Sequence, residues 1–588
     1  MKVLHSLPVL ILSASSIFLI STHFANPPAP TLYISVGGGC MLAIFALVIK
    51  YKQQKLSMSA TEILVGSFLL LANIYGVYTG SLSLEWIISG WSLWLFYLLA
   101  RRIKVTIGWL FMGLVLIGSA QAIYGLGQYM HWFSNMAAPN FRISGSFENP
   151  AGFASSLSVC FPFALFLLSK KKLYWKLIGG LAVILISGAI VLSQSRAGVI
   201  AILVIGGIWV IKALNIKGLN FLSNRTKIVG SIVLVIALLA GLYFLKKDSA
   251  DGRLLIWQCS ARMIADKPLL GHGAGGFQRE YMLYQANYFR NHLTSSYAML
   301  ADIVKHPFNE FILLLVEHGL VGSFLFGLFV YWLIREYRKN KNQETFYAML
   351  SLSGIAVFAC FSYPLGYPFV RLMAVFCAAF IMQKEVAVWQ LPQRITAVLK
   401  PLGLMVCVGL LVLTGKMFYN EYYWNTIAQQ SLAGETRRVL PEYARLYPWM
   451  NRNGLFLYNY AAELNYIGEW KQSNELMTEC SKLYNDNDVQ LILADNYQQM
   501  KQYTEAEKHL KMAYDMIPNR FIPLYRLVKL YQEQGKHNQA YKLAEIITKK
   551  PEKVSSMEVI SIKGEMAELL KQRDNYLLKC SNSLSKQK

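Results

Sequence analysis

Charge is scarce in this sequence. Only 15% of its 588 residues are Asp, Glu, Lys or Arg, against 55% hydrophobic, and the mean hydropathy is +0.35. Too few polar side chains remain to cover a soluble multi-domain protein, so the chain reads as a polytopic membrane protein. Acidic residues are the scarcer sign, 33 against 57 basic, giving a net charge of +24. Nucleic acid is not the expected partner, because Lys and Arg sit in short clusters between apolar runs, where they set topology and meet anionic headgroups. Cysteine is also sparse. Cys40, Cys160, Cys360, Cys377 and Cys407 lie in apolar runs, leaving Cys259, Cys480 and Cys580 in polar segments. No CxxC pair exists, which excludes a zinc ribbon and a disulfide framework. HExxH, Walker, nucleophile-elbow and acidic metal-cluster patterns are absent as well, so no metal or cofactor is expected.

What is present is a series of long apolar runs. Crossing a bilayer takes about 20 apolar residues in a helix, and thirteen candidates meet that measure: 4 to 22, 31 to 50, 61 to 79, 84 to 100, 106 to 127, 152 to 169, 175 to 193, 198 to 212, 228 to 245, 309 to 334, 345 to 362, 368 to 383 and 401 to 418. The eighth and twelfth are short, so about 12 to 13 spans are expected. Lys2 and the run to Ile20 resemble a signal peptide, but the many spans that follow favour a retained first helix. Basic clusters fall in every second connector, for example Lys50 to Lys55, Arg101 to Lys104, Lys170 to Lys176 and Arg335 to Lys341. Those connectors are assigned to the cytoplasm. The alternate connectors, the polar loop 246 to 308 and the C-terminal part then lie outside the membrane's cytoplasmic face. Arg142, Arg196 and Arg371 break the pattern, one in each of three outer connectors. Arginine at a membrane boundary is costly without a partner, and several on one side suggest a shared anionic ligand.

From about Asn425 the pattern becomes that of soluble helices. Trp470, Tyr503 and His537 recur at 33 and 34 residues, as do Ala506 with Ala540 and Pro518 with Pro551. That period reads as tetratricopeptide repeats, an α-solenoid over 425 to 588 following a membrane domain over 1 to 420. The fold class is all-α.

The polar interval from Asp251 to Gly322 concentrates the chemistry. GHGAGGF satisfies GxGxxG at Gly271, Gly273 and Gly276, but no βαβ unit surrounds it, so a dinucleotide site is rejected and a tight turn or close approach expected. Arg196, in SQSRAG, has little room to snorkel, and a planar guanidinium suits a pyrophosphate. Arg253, in GRLLIW, is a second such arginine. His306 stands where the loop re-enters the membrane, beside Asn309 and Glu310, and imidazole is suited to take a proton near neutral pH. His272, His292 and His318 are the alternatives.

SQSRAG at 193 to 198, GRLLIW at 252 to 257, PLLGHGAGGF at 268 to 277 and HPFNEFILLLVEHGLVG at 306 to 322 together resemble the O-antigen ligase and polymerase superfamily of bacterial membrane glycosyltransferases, which includes protein O-oligosaccharyltransferases. The resemblance implies metal-independent transfer of a glycan from a polyprenyl diphosphate carrier to an acceptor hydroxyl on the periplasmic face of the inner membrane. Arg196, Arg253, Arg142 and Arg371 would hold the diphosphate, His306 with Arg196 would be catalytic, and Asn309 and Glu310 would support them. The acceptor is lipid A core, a growing glycan or a protein; the repeats would present a surface to it or to a protein partner. The sequence departs from the family pattern at Phe308, where many members carry histidine directly before the asparagine. The competing class is a non-enzymatic scaffold or transporter. A transporter would show internal symmetry or charged residues within spans, and here only Glu62 and Glu85 near span ends approach that.

Overall fold

The computed structural model describes residues 7–18, 24, 29–45, 57–80, 84–102, 107–135, 140–213, 247–390 and 392–585. In chain order the helices are α1 (Leu7–Phe18), α2 (Ala29–Phe45), α3 (Ala60–Tyr78), α4 (Leu84–Arg102), α5 (Ile107–Tyr129), α6 (Pro150–Leu168), α7 (Leu173–Leu192), α8 (Arg196–Ala213), α9 (Lys247–Asp266), α10 (Gly276–Asn291), α11 (Glu310–Lys339), α12 (Gln343–Ala359), α13 (Pro368–Ile381) and α14 (Gln393–Gln430). Then come α15 (Thr436–Met450), α16 (Gly454–Tyr466), α17 (Trp470–Ser481), α18 (Asn487–Gln499), α19 (Tyr503–Met516), α20 (Ile522–Glu533), α21 (His537–Lys549) and α22 (Met557–Ser585). Two short antiparallel strands, β1 (Ser57–Ser59) and β2 (Ala387–Gln390), pair with each other.

Every expected span on described residues coincides with a helix; the ninth, 228 to 245, lies outside them. Among the described residues seven stretches are long and apolar enough to cross a membrane: α3, α5, α6, α7, α8, α11 and the run containing α14. The expected 12 to 13 is therefore not reached at full length. α1, α2, α12 and α13 are shorter over the described residues, and α4 carries Glu85, Arg101 and Arg102. At 1.5 Å per residue α14 runs roughly 57 Å, well beyond the hydrocarbon thickness.

The chain divides into two compact units. The first comprises 1–245, 267–274 and 306–429; the second comprises 246–266, 275–305 and 430–588. In the first, α6 is the central helix, buried from Gly152 to Leu167 and packed by α5, α7, α8 and α12. Its serines do not oppose this burial. The hydroxyls of Ser155, Ser156 and Ser158 each donate to a carbonyl three residues back, at 2.7 to 2.8 Å, so no donor is stranded among Phe153, Phe163 and Phe166.

At the end of this unit where β1 pairs with β2, carboxylates meet the arginines. Glu62 lies 2.9 Å from Arg101 and 2.7 Å from Arg102, and Glu385 lies 3.3 Å from Arg101. Tyr97 and Glu385 both bond the Thr61 hydroxyl, and Arg101 also reaches the Ser59 hydroxyl. Glu62, which the sequence marks as an exception within the spans, is thus a counter-ion for two arginines and part of the Ser59 capping box of α3.

In the second unit α10 is built into the C-terminal helices. Gln285 donates to the Met516 carbonyl at 2.7 Å and Arg290 pairs with Asp515 at 2.9 Å, while Phe277 and Tyr281 are fully buried. The loop 246 to 308 is therefore not one appendage of the membrane domain: 246–266 and 275–305 group with 430–588, because α10 finds its apolar partner there. The periodic residues have one structural meaning. Trp470, Tyr503 and His537 are the first residues of α17, α19 and α21, and Gly468, Lys501 and Gly535 just before them all adopt positive φ. Ala506 and Ala540 are fully buried where successive helices touch.

Candidate functional site

At the opposite end of the first unit, four helices begin: α6, α8, α11 and α13. Helix starts leave N–H groups unpaired and carry positive partial charge, so their convergence matters. Asn149 caps α6, its Oδ1 accepting from Gly152 N at 2.9 Å. Its amide Nδ2 donates to the Tyr363 hydroxyl at 3.0 Å and to the Tyr367 hydroxyl at 2.8 Å, and Tyr367 donates back to Oδ1 at 3.0 Å. Asn309 caps α11 by accepting from Phe311 N and Ile312 N, and its Nδ2 donates to the Cys360 carbonyl at 3.1 Å. Two Asn caps thus tie the loop 360–367 to two helix starts.

His306 enters this arrangement through a ring stack. Its imidazole lies 4.2 Å from the Tyr363 ring at 17°, and Tyr363 lies 5.4 Å from Tyr367 at 28°. Phe308 takes φ 53 and meets Tyr363 edge-on at 5.7 Å. Burial pushes both phenols above the ordinary tyrosine range, so they remain hydrogen-bond donors.

Glu310 and Arg371 are joined by one backbone residue. The Glu310 carboxylate accepts from Leu365 N at 2.8 Å, and Arg371 Nε donates to Leu365 O at 2.6 Å. Arg371 also donates to Ser89 Oγ at 2.9 Å and to Gly366 O at 3.5 Å. Arg371, expected among the diphosphate ligands, makes these contacts to the loop and to Ser89.

Arg196 is the first residue of α8 and is half-buried. The turn before it is set by Gln194 at φ 55, and by Ser195, whose hydroxyl accepts from Gly198 N at 3.3 Å. A Cβ on Gly198 would stand 2.9 Å from that of Ala154, in the first turns of α6. The start of α8 is thus seated beside the start of α6. Arg142 is exposed, its guanidinium 4.0 Å from the Tyr129 ring centre. Arg253 is on α9 in the second unit.

The glycine segment makes a close backbone crossing. α11 breaks at Gly319, φ 60, and the freed backbone pairs with 268–273: Leu320 N to Pro268 O, Val321 N to Leu269 O, His272 N to Val316 O and Gly273 N to Glu317 O, at 2.8 to 3.1 Å. A Cβ on Gly271 would stand 2.5 Å from the Glu317 carbonyl carbon, and one on Gly319 2.3 Å from Leu269 O. Only glycine admits this contact. Tyr75 fixes the crossing by donating to Gly271 O at 2.8 Å.

The alternative histidines have other surroundings. His272 is fully buried at the crossing, His318 packs against Phe68 and Trp86, and His292 stacks on Tyr288. Among the described residues no group of three or more His, Cys, Asp or Glu is arranged to hold a metal. Sequence reasoning passed over Asn149, Tyr363 and Tyr367. The Asn149-Pro150 step is a helix-start signal, and the Tyr-Pro steps at 363 and 367 fix ring-bearing turns, but neither signal says that the three meet.

Residues 181–327, about a quarter of the chain, match the family model described as O-Antigen ligase. The match includes Arg196, Arg253, the glycine crossing, His306, Asn309 and Glu310, and stops short of Arg142, Asn149, Tyr363, Tyr367 and Arg371. No curated protein matches the chain. The apolar helices support a multi-pass membrane protein, and the match supports an O-antigen ligase-like segment over 181–327.

Proposed function

We propose, from the O-antigen ligase match and the site assembled around His306, that this chain moves a glycan from a polyprenyl diphosphate carrier to an acceptor hydroxyl. The observation that carries the reading is the convergence of Arg196, three further helix starts and the His306–Tyr363 stack at one end of the first unit. Positive partial charge and guanidinium groups gathered there suit a diphosphate, whose negative charge grows as it leaves.

The acceptor oxygen bonds to the anomeric carbon as the bond from that carbon to the diphosphate oxygen breaks, and the diphosphate departs with the electron pair. His306 receives the acceptor proton, with Tyr363 fixing its ring plane; it takes the part that the family pattern gives to the position of Phe308. Arg196 and Arg142 meet the diphosphate. Arg371, Glu310 and Asn309 hold the loop 360–367 in place. The arginines supply the charge, so the proposed transfer uses neither metal nor cofactor. The site end is assigned to the periplasmic face of a bacterial inner membrane, since the basic connectors lie at the other end. The C-terminal helix pairs are read as periplasmic tetratricopeptide repeats, on the recurrence of Gly468, Lys501 and Gly535 at 33 and 34 residues.

Mass spectrometry of products formed from a polyprenyl diphosphate-linked oligosaccharide, offered with lipid A core, a Ser/Thr-rich protein and excess donor, tests this reading. Glycan on one acceptor is expected and names the class. Transfer to none, with no donor binding, refutes it.

A further inference from the structure

We propose that a cleft in the second unit, between the loop 293–299 and the helices α19 and α21, binds an acidic, aliphatic peptide segment of a partner protein. This does not rest on the transferase reading. The cleft encloses about 800 Å³. One wall is a stripe of α21: Lys542, Glu545, Ile546 and Lys549 recur at i, i+3, i+4 and i+7, opposite the buried Ala540, Ala544 and Ile547. The other wall is held by Asn519, whose amide donates to Ala298 O at 3.0 Å and Ala301 O at 2.7 Å, pinning the loop to the turn after α19.

The charges on this lining do not balance. Glu545 is answered by Arg573 at 2.6 Å, whereas Lys542 and Lys549 have no ion pair among the described residues. Lys550, at the base, donates to Arg520 O at 2.7 Å and lies 5.0 Å from the Tyr514 ring and 4.9 Å from that of Phe521. Burial pushes its ammonium down to about 8, as befits a cation without a neighbouring carboxylate. Beside these lysines two aliphatic side chains are left open, Leu293 at 85% exposure and Ile546 at 50%.

A peptide carrying carboxylates and aliphatic side chains satisfies both halves of the lining. A bare anion would leave Leu293 and Ile546 uncovered, and a sugar ring would find its platform, Tyr514, already engaged by Lys550. Residues 575–588 carry Lys579, Lys586 and Lys588 and no acid, so they do not supply the carboxylates.

The test is fluorescence anisotropy on the full-length protein in neutral-lipid nanodiscs, with empty nanodiscs as background. The probe is a labelled peptide of alternating Glu, Leu and Asp; the comparisons replace its acids by Lys, replace its Leu by Ser, or offer an oligogalacturonate. Saturable binding at least about tenfold tighter than every comparison is expected, reduced roughly tenfold by Lys542→Glu with Lys549→Glu, and weakened by rising salt. Leu293→Ser with Ile546→Ser should weaken it by about threefold. All four side chains line open surface, so the variants should melt like the parent. No saturable binding, binding untouched by both double variants, or equal binding of the oligogalacturonate overturns the proposal.

Discussion

At one end of the first unit Arg101 and Arg102 meet Glu62, and Arg101 also meets Glu385; at the other, Arg142 lies over a tyrosine ring and Arg371 is held by carbonyls and a hydroxyl. Among the described residues neither of the latter two has an ion pair. The first end neutralises its guanidinium groups internally, which gives them a structural role. The second sets Arg371 near Glu310 and Glu85 without a direct ion pair and lays Arg142 over a ring, so its guanidinium groups are tied less directly and Arg142 stays open to an anion from outside. The same residue type, at equal depth in the sequence pattern, is a tie in one place and an invitation in the other.

The comparison breaks most visibly at Glu62. Removing one partner of a buried ion network leaves a charge uncompensated, so Glu62→Ala should cost about 3 to 5 kcal/mol of stability. A thermal melt of the purified protein checks this, and an unchanged midpoint would mean that the first end is not a structural tie. At the second end Asn149→Ala removes a helix cap worth about 1 kcal/mol and releases both tyrosine hydroxyls; its melt should shift less than that of Glu62→Ala, while transfer should fall further. A control outside both ends is Lys501, a non-glycine residue at φ 60 where Gly468 and Gly535 occupy the matching turns. Lys501→Gly should raise the stability of the second unit by roughly 1 kcal/mol, read by hydrogen exchange in α18 and α19, and leave transfer unchanged. Smallest in stability, within about 0.5 kcal/mol, is Arg142→Ala, which should nevertheless weaken donor binding. Equal losses of stability at Arg142 and Glu62 would erase the distinction between the ends.

Much of this architecture is written in the apolar runs. A helix in lipid must satisfy its own backbone, so run length alone located the spans on described residues, and the 33 to 34 residue period marked the turns of the helix pairs. The convergence of the site was less legible. Asn149 lies more than 200 residues from Tyr363 and Tyr367 in sequence, and a hydrogen bond across that separation leaves no local pattern. Arg371 and Arg196 are both boundary arginines in the sequence, and the contacts of Arg371 to Leu365 O, Gly366 O and Ser89 have no local signature there. Likewise, α10 is amphipathic on its face, but nothing in it names Met516 and Asp515 as what it packs against.

The most direct measurement of the central claim is release of free polyprenyl diphosphate from its glycan-linked form in the presence of acceptor, followed for the parent, Arg196→Ala and His306→Ala. The account predicts release by the parent and a fall of about 10² to 10³ for each variant, with melting temperatures preserved. Undiminished release from Arg196→Ala, or release that survives loss of His306 and its stack on Tyr363, would contradict it.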